Sequence, residues 1–87
     1  NIKNKDIFWE INLSKHLSKK DTIVKSFIFK DTIVIMFSTG KIIQFNKSDG
    51  EISFKQDLNL SDIVSIIVND NYFVFNQNNG RSFFYSQ

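Results

Sequence analysis

The sequence predicts an all-β chain made of repeated antiparallel four-stranded sheets, on three observations. First, residues 21–47 lie over residues 61–87 without a gap when the chain is shifted by forty positions. Ile23–Val24 falls on Ile63–Val64, Val34 on Val74, Thr39–Gly40 on Asn79–Gly80, Lys41 on Arg81 and Phe45 on Tyr85. Few residues are identical, but apolar, polar and Gly positions mostly coincide. A period of this length filled with short strands marks a repeat architecture. Second, runs rich in Ile, Val and Phe alternate with turn-forming Asn, Asp and Gly, the pattern of strands joined by hairpins. Third, Ile33-Val34-Ile35-Met36-Phe37 is apolar at every position. Such a strand has no side suited to water and predicts burial on both faces. A sheet stacked between two others supplies that burial; a lone sheet does not.

The elements follow in order. Ile7–Leu13 (Ile-Phe-Trp-Glu-Ile-Asn-Leu) is the first expected strand. Ser14–Lys20 has room for a single helical turn. In the second copy Leu58 leads almost directly to Ser61, so this stretch is an insertion of about five residues into one repeat. Strands are expected over 23–29 and 32–37, parted by the turn pair Lys30–Asp31. Thr39–Gly40 turns the chain into a strand over 41–46. Asn46-Lys47-Ser48-Asp49-Gly50 is a strong turn, because Asp and Gly accept the positive φ of a tight hairpin. Residues 51–58 alternate, with Ile52 and Phe54 on one face and Ser53 and Lys55 on the other. The second copy predicts strands over 63–68, 72–76 and 81–86, with turns at Asn69–Asn71 and Asn78-Asn79-Gly80.

Residues 1–87 thus read as one segment of a β-propeller, an incomplete ring of about two blades. Residues 7–58 supply an outer strand plus one complete blade, and 61–87 supply three strands of a second. An uncompleted sheet edge is an aggregation hazard. Strand 7–13 is therefore expected to pair with 81–86 of another copy, or the edge with the rest of a parent chain. The chain does not begin with Met, which predicts a fragment or processed product.

Composition narrows the function. There is no Cys, hence no disulfide, thiolate metal site or Cys nucleophile. The net charge of +2 is small and the signs are interspersed, so no basic face for nucleic acid is expected. No apolar run reaches the length of a transmembrane segment.

Asp31, Asp49 and Asp70 fall in expected turns, where Asp bonds its own backbone. No Asp or Glu is spaced with a convincing partner for acid–base work. His16 is the sole His, and one His makes neither a metal site nor a triad; a solvated loop position is expected for it. Trp9 and Phe54 occupy equivalent outer-strand positions and are expected to pack between blades. Lys15, His16, Lys19 and Lys20 form a basic insertion in one copy of the repeat. That is where binding specificity tends to collect, so it is the candidate partner-binding surface. No catalytic, cofactor-binding or metal-binding residue is assigned.

The run from Lys30 to Lys55, Lys-Asp-Thr-Ile-Val-Ile-Met-Phe-Ser-Thr-Gly-Lys-Ile-Ile-Gln-Phe-Asn-Lys-Ser-Asp-Gly-Glu-Ile-Ser-Phe-Lys, resembles the repeat of pyrroloquinoline-quinone-type (PQQ-like) β-propellers. That repeat runs Asp/Asn turn, strand, Gly, strand ending in Leu-Asp, short turn, Gly, strand ending in Trp-Lys. Here Phe45-Asn46 stands where Leu-Asp is usual and Phe54 where Trp is usual. The Trp is kept once, as Trp9 in Phe8-Trp9-Glu10, and Asn69–Tyr85 repeats the first half of the pattern. The resemblance is greatest to the C-terminal blades of BamB-like outer-membrane protein assembly factors. It implies a non-enzymatic scaffold for protein–protein interaction in the cell envelope or periplasm, docking to the β-barrel assembly machinery and needing no cofactor. Two rivals are a two-blade carbohydrate-binding lectin that assembles into a ring and a fragment of a PQQ-dependent dehydrogenase. The dehydrogenase requires a catalytic Asp, calcium ligands and an aromatic stack on the quinone.

Overall fold

A computed structural model describes residues 10–86. The chain folds as two antiparallel meanders. The first sheet is β1 (Ile23–Phe29), β2 (Thr32–Phe37), β3 (Lys41–Asn46) and β4 (Ile52–Asp57), in the order β1-β2-β3-β4. The second is β5 (Ile63–Val68), β6 (Tyr72–Gln77) and β7 (Ser82–Ser86), in the order β5-β6-β7. Neither sheet closes on itself, and the expected all-β, blade-like architecture is what the chain forms.

The forty-residue echo is reproduced in the hydrogen-bond register. Ile23 pairs with Phe37 and Lys25 with Met36, leaving a bulge between them; Ile63 pairs with Gln77 and Ser65 with Asn76, leaving the same bulge. Ser38 N donates to Thr22 O at 2.8 Å, and Asn78 N donates to Asp62 O at 3.0 Å. Gly40 and Gly80 close the matching β2–β3 and β6–β7 turns at φ +79° and +92°, a region that an L side chain disfavours. One local geometry is therefore built twice from largely different side chains.

The two sheets pack through one apolar cluster. Val34, Met36 and Ile42 of the first sheet meet Ile63, Ile66 and Phe75 of the second, with Leu58 and Leu60 of the linking segment packed alongside. On the second sheet Phe75 takes Tyr85 edge-on, with ring centroids 5.7 Å apart, a preferred aromatic geometry.

The opposite face of the first sheet holds Phe37, Ile43 and Phe45, with Ile33 and Ile35 beside them. The apolar run 33–37 of β2 is thus covered on both sides, as its composition requires. The second cover is not a sheet among the described residues. Ile11, Leu13 and Leu17 of the leading segment pack there instead.

Three local expectations are corrected. Residues 7–9 of the expected strand 7–13, Trp9 included, lie outside the described residues. Residues 10–12 are not strand, and Leu13–Lys15 form a 3-10 turn whose cap, Asn12, accepts from Ser14 N at 2.9 Å. The side chains of Ile11 and Leu13 serve as cover for the first sheet, which competes with a flat pairing edge. Phe54 does not pack between sheets and stays 42 % exposed. It pairs with Gln44, on the face turned to the second sheet, but the three described strands there do not extend over β4. In the β5–β6 turn the backbone is held by Asn69, not Asp70. Asn69 Oδ1 accepts from Asn71 N at 2.8 Å and from Tyr72 N at 2.7 Å. Asp49 behaves as expected and accepts from Glu51 N at 2.9 Å.

Candidate functional site

The leading segment enters the first sheet through a tight turn. Asp21 N donates to Ser18 O at 3.1 Å, while Ser18 N returns a bond to Asp21 Oδ2 at 2.7 Å. That reciprocal pairing fixes the Asp21 carboxylate just before β1. The β2–β3 turn then brings Thr39 and Lys41 to it. Thr39 Oγ1 donates to Asp21 Oδ1, and Lys41 Nζ lies 2.9 Å from Oδ2. Lys41 Nζ also donates to the His16 carbonyl at 2.6 Å, so one ammonium fastens two points of the insertion.

The ion pair is nearly closed to water, with side-chain exposures of 2 % for Asp21 and 13 % for Lys41. Burial pushes the Asp21 carboxyl up. The bonds from Thr39, Ser18 and Lys41, with the Lys41 charge, outweigh it and bring the carboxyl down to about 2. Three donors converge on Oδ2 (Ser18 N, Ser18 Oγ and Lys41 Nζ) and Thr39 Oγ1 holds Oδ1, which favours the charged form and fixes the group in place. Its chemistry is anchoring.

The candidate surface divides on this anchor. Lys15, Lys19 and Lys20 are exposed, as a contact surface requires. His16 differs from the expectation of a solvated loop position, being half-buried. Its carbonyl is held by Lys41, and Lys55 Nζ sits 3.3 Å from its Nδ1. The insertion is therefore a fixed ledge with lysines on its outer side.

Beside the ledge a polar cleft of about 960 Å³ opens between the ends of the two sheets. Asp21, Thr39 and Lys41 form one wall, and Asn59, Ser61 and Asn78 belong to the other. The lining mixes amides and hydroxyls with the carboxylates of Asp57 and Asp62 and the apolar Leu60, Ile63 and Val64, and has no aromatic ring. Among the described residues no group of three His, Asp or Glu is placed to hold a metal ion.

Sequence reasoning named the insertion but missed its anchor, using Thr39 and Lys41 only as markers of the repeat. A signal was present. Asp21, Thr39 and Lys41 stand opposite Ser61, Asn79 and Arg81 in the second copy. The carboxylate thus occurs only in the copy that carries the insertion.

These features define a class: an all-β pair of blade-like sheets with an anchored basic ledge and a polar cleft at one end. No family model, no curated protein and no solved structure matches this chain.

Proposed function

We propose that this chain is a non-enzymatic propeller-type scaffold that binds protein partners through the ledge carrying Lys15, Lys19 and Lys20. The observation that carries this reading is the Asp21–Lys41–His16 anchorage. It ties Asp21 and Lys41 to each other and to the His16 carbonyl, and so holds three exposed lysines on a pre-ordered backbone. Pre-ordering lowers the entropy lost when a partner docks. The chemistry suits an acidic segment of a protein. No helix among the described residues is long and apolar enough to cross a membrane. With the resemblance to BamB-like repeats, the partner we propose is the β-barrel assembly machinery of a cell envelope.

The test is a binding titration of the chain against purified β-barrel assembly machinery, with Lys15→Glu, Lys19→Glu and Lys20→Glu combined in one variant. Binding that the triple variant lowers by roughly 10-fold or more is expected, since rim charges steer and weakly hold a partner. Equal binding by both forms would exclude the ledge, and no binding by either would exclude this partner.

A second reading, a sugar-binding chain, has one observation in its favour: the cleft places the amides of Asn59 and Asn78 and the hydroxyl of Ser61 beside the carboxylates of Asp57 and Asp62. A glycan array decides it, with Asn59→Ala and Asn78→Ala expected to abolish any signal that arises from the cleft.

A further inference from the structure

The repeat allows each surface of the second sheet to be compared with its counterpart on the first, forty residues earlier. On the first sheet the cross-strand row Phe27–Val34–Gln44 lies beneath the second sheet. Its counterpart is the row Ile67–Val74–Phe84, on the outer face of the second sheet. Its two ends are open among the described residues, Ile67 at 56 % and Phe84 at 70 % exposed, with Val74 half-buried between them. The covered row and the open row are one position in the repeat, and the open one is the more apolar.

The turn at the end of that sheet shows the same vacancy. In the first sheet, the turn Ser38–Gly40 grips the linking segment with its carbonyls. Leu58 N donates to Gly40 O at 3.2 Å, Leu60 N to Thr39 O at 2.8 Å and Ile63 N to Ser38 O at 3.0 Å. A Cβ on Gly40 would stand only 3.0 Å from Leu60 Cγ, so the link is seated closely. In the second sheet, the carbonyls of Asn78, Asn79 and Gly80 receive no such bonds from described residues, and a Cβ on Gly80 would meet nothing within 4 Å.

The segment that fits this turn is also present in the chain. Leu58 and Leu60 pack on the face of the second sheet that carries Phe75 and Phe83. Ile11, Leu13 and Leu17 pack on the face of the first sheet that carries Ile35 and Ile43, the counterparts of Phe75 and Phe83. The leading segment therefore enters the first sheet as the link enters the second. Among the described residues no sheet holds it as the turn Ser38–Gly40 holds the link.

We propose that the outer face of the second sheet, with the turn Asn78–Gly80, is the docking site for the leading segment and first sheet of a second copy of this chain, arranged head to tail. The contact follows the one already made between the two sheets, with Ile11, Leu13 and Leu17 of the incoming copy lying over its Phe37, Ile43 and Phe45 much as Leu58 and Leu60 lie at the inter-sheet cluster. The row Ser65–Asn76–Ser82 on the same face does not oppose this. Asn76 Nδ2 donates to Ser65 Oγ at 3.0 Å and Ser82 Oγ to Asn76 Oδ1 at 2.7 Å, so the row meets part of its hydrogen-bonding demand internally, which lowers the cost of covering it. A head-to-tail contact uses two different surfaces and closes into a ring when its rotation permits. The inference rests on the blade-like reading of the sheets and not on which protein the ledge binds.

The test uses the full chain and Phe84→Glu, a change at an exposed position that circular dichroism should show to be folded. Ile67→Lys is the second variant should Phe84→Glu not fold. Sedimentation across the micromolar to millimolar range is expected to show self-association by the natural chain and its loss in the variant. Tagged variant should still capture untagged natural chain, because its leading segment remains intact, but should not capture itself. Three results would each overturn the proposal: a natural chain that stays monomeric throughout, a folded variant that self-associates undiminished, or a variant that fails to capture a natural chain that captures itself. The last result would indicate face-to-face pairing of the two open rows. None of them bears on binding through the lysine ledge, which the triple charge reversal reads separately.

Discussion

Lys41 closes on Asp21 across twenty residues of chain, Nζ 2.9 Å from Oδ2, and the pair seals the junction between the insertion and the first sheet. Removing one partner leaves the other charge in a largely dry position. Asp21→Ala is expected to lower unfolding free energy by about 1–3 kcal/mol, because Lys41 then keeps only the His16 carbonyl as a partner. Adding Lys41→Met should recover part of that loss. Urea denaturation of the two single variants and the double variant measures both the cost and the coupling.

The same pair sets an acid limit. The Asp21 carboxyl is held at about 2 in the folded chain, against 3.8 for the free group. Its contribution is complete above about pH 4, where both folded and unfolded chains carry the charge. As pH falls from 4 towards 2 the unfolded chain takes up the proton first, and the contribution disappears. The melting temperature of the natural chain should fall over that window more steeply than that of Asp21→Asn.

The two turn glycines separate backbone cost from packing cost. Both lie at positive φ, so alanine strains either turn by about 1–2 kcal/mol. At Gly40 the new methyl must also displace Leu58 and Leu60, whose nearest atoms would lie at 3.0–3.1 Å. Gly40→Ala is expected to cost about 1–2 kcal/mol more than Gly80→Ala. Equal melting temperatures for the two variants would show that the link yields freely.

Phe37 tests the cover laid by the leading segment. It is fully buried in the cluster that Ile11, Leu13 and Leu17 close. Phe37→Ala should cost about 3–5 kcal/mol, as for other buried aromatics. Leu17→Ala, at a half-buried position, should cost about 1–2 kcal/mol and increase binding of a dye that reports exposed apolar surface. Thermal melts with dye titration check both.

The strands were legible because their signals are local. The turns at Lys30–Asp31, Thr39–Gly40 and Asn79–Gly80 appear where the sequence places them, and the run Ile33–Phe37 is buried on both faces as its lack of polar positions demands. The leading segment was misread because Ile7–Leu13 has strand composition, while its described part is positioned by tertiary demand. Ile11 and Leu13 cover Ile43 and Phe45, partners distant in sequence. The Asp21 anchor was hidden for a related reason. Nothing in the spacing of Ser18, Asp21, Thr39 and Lys41 reveals that a hairpin will bring the last two back to the first. Asp70 and Asn69 show a finer limit, since both suit a turn and only the register decides which oxygen faces the backbone donors.

Each strand bonds to its neighbour in the chain, and the sheets touch mainly along β1 and β5 and through the link. Within each sheet the pairings join strands adjacent in the chain, so each sheet can be assembled hairpin by hairpin. They also divide the molecule into two cooperative units joined in series. The first sheet is covered on both faces and the second on one, so the units differ in opening free energy. Amide protons of β6 and β7 should therefore exchange with solvent well before those of β2 and β3, through partial opening that leaves the first sheet intact. The chain carries an ordered sequence of release, from its second half to its first.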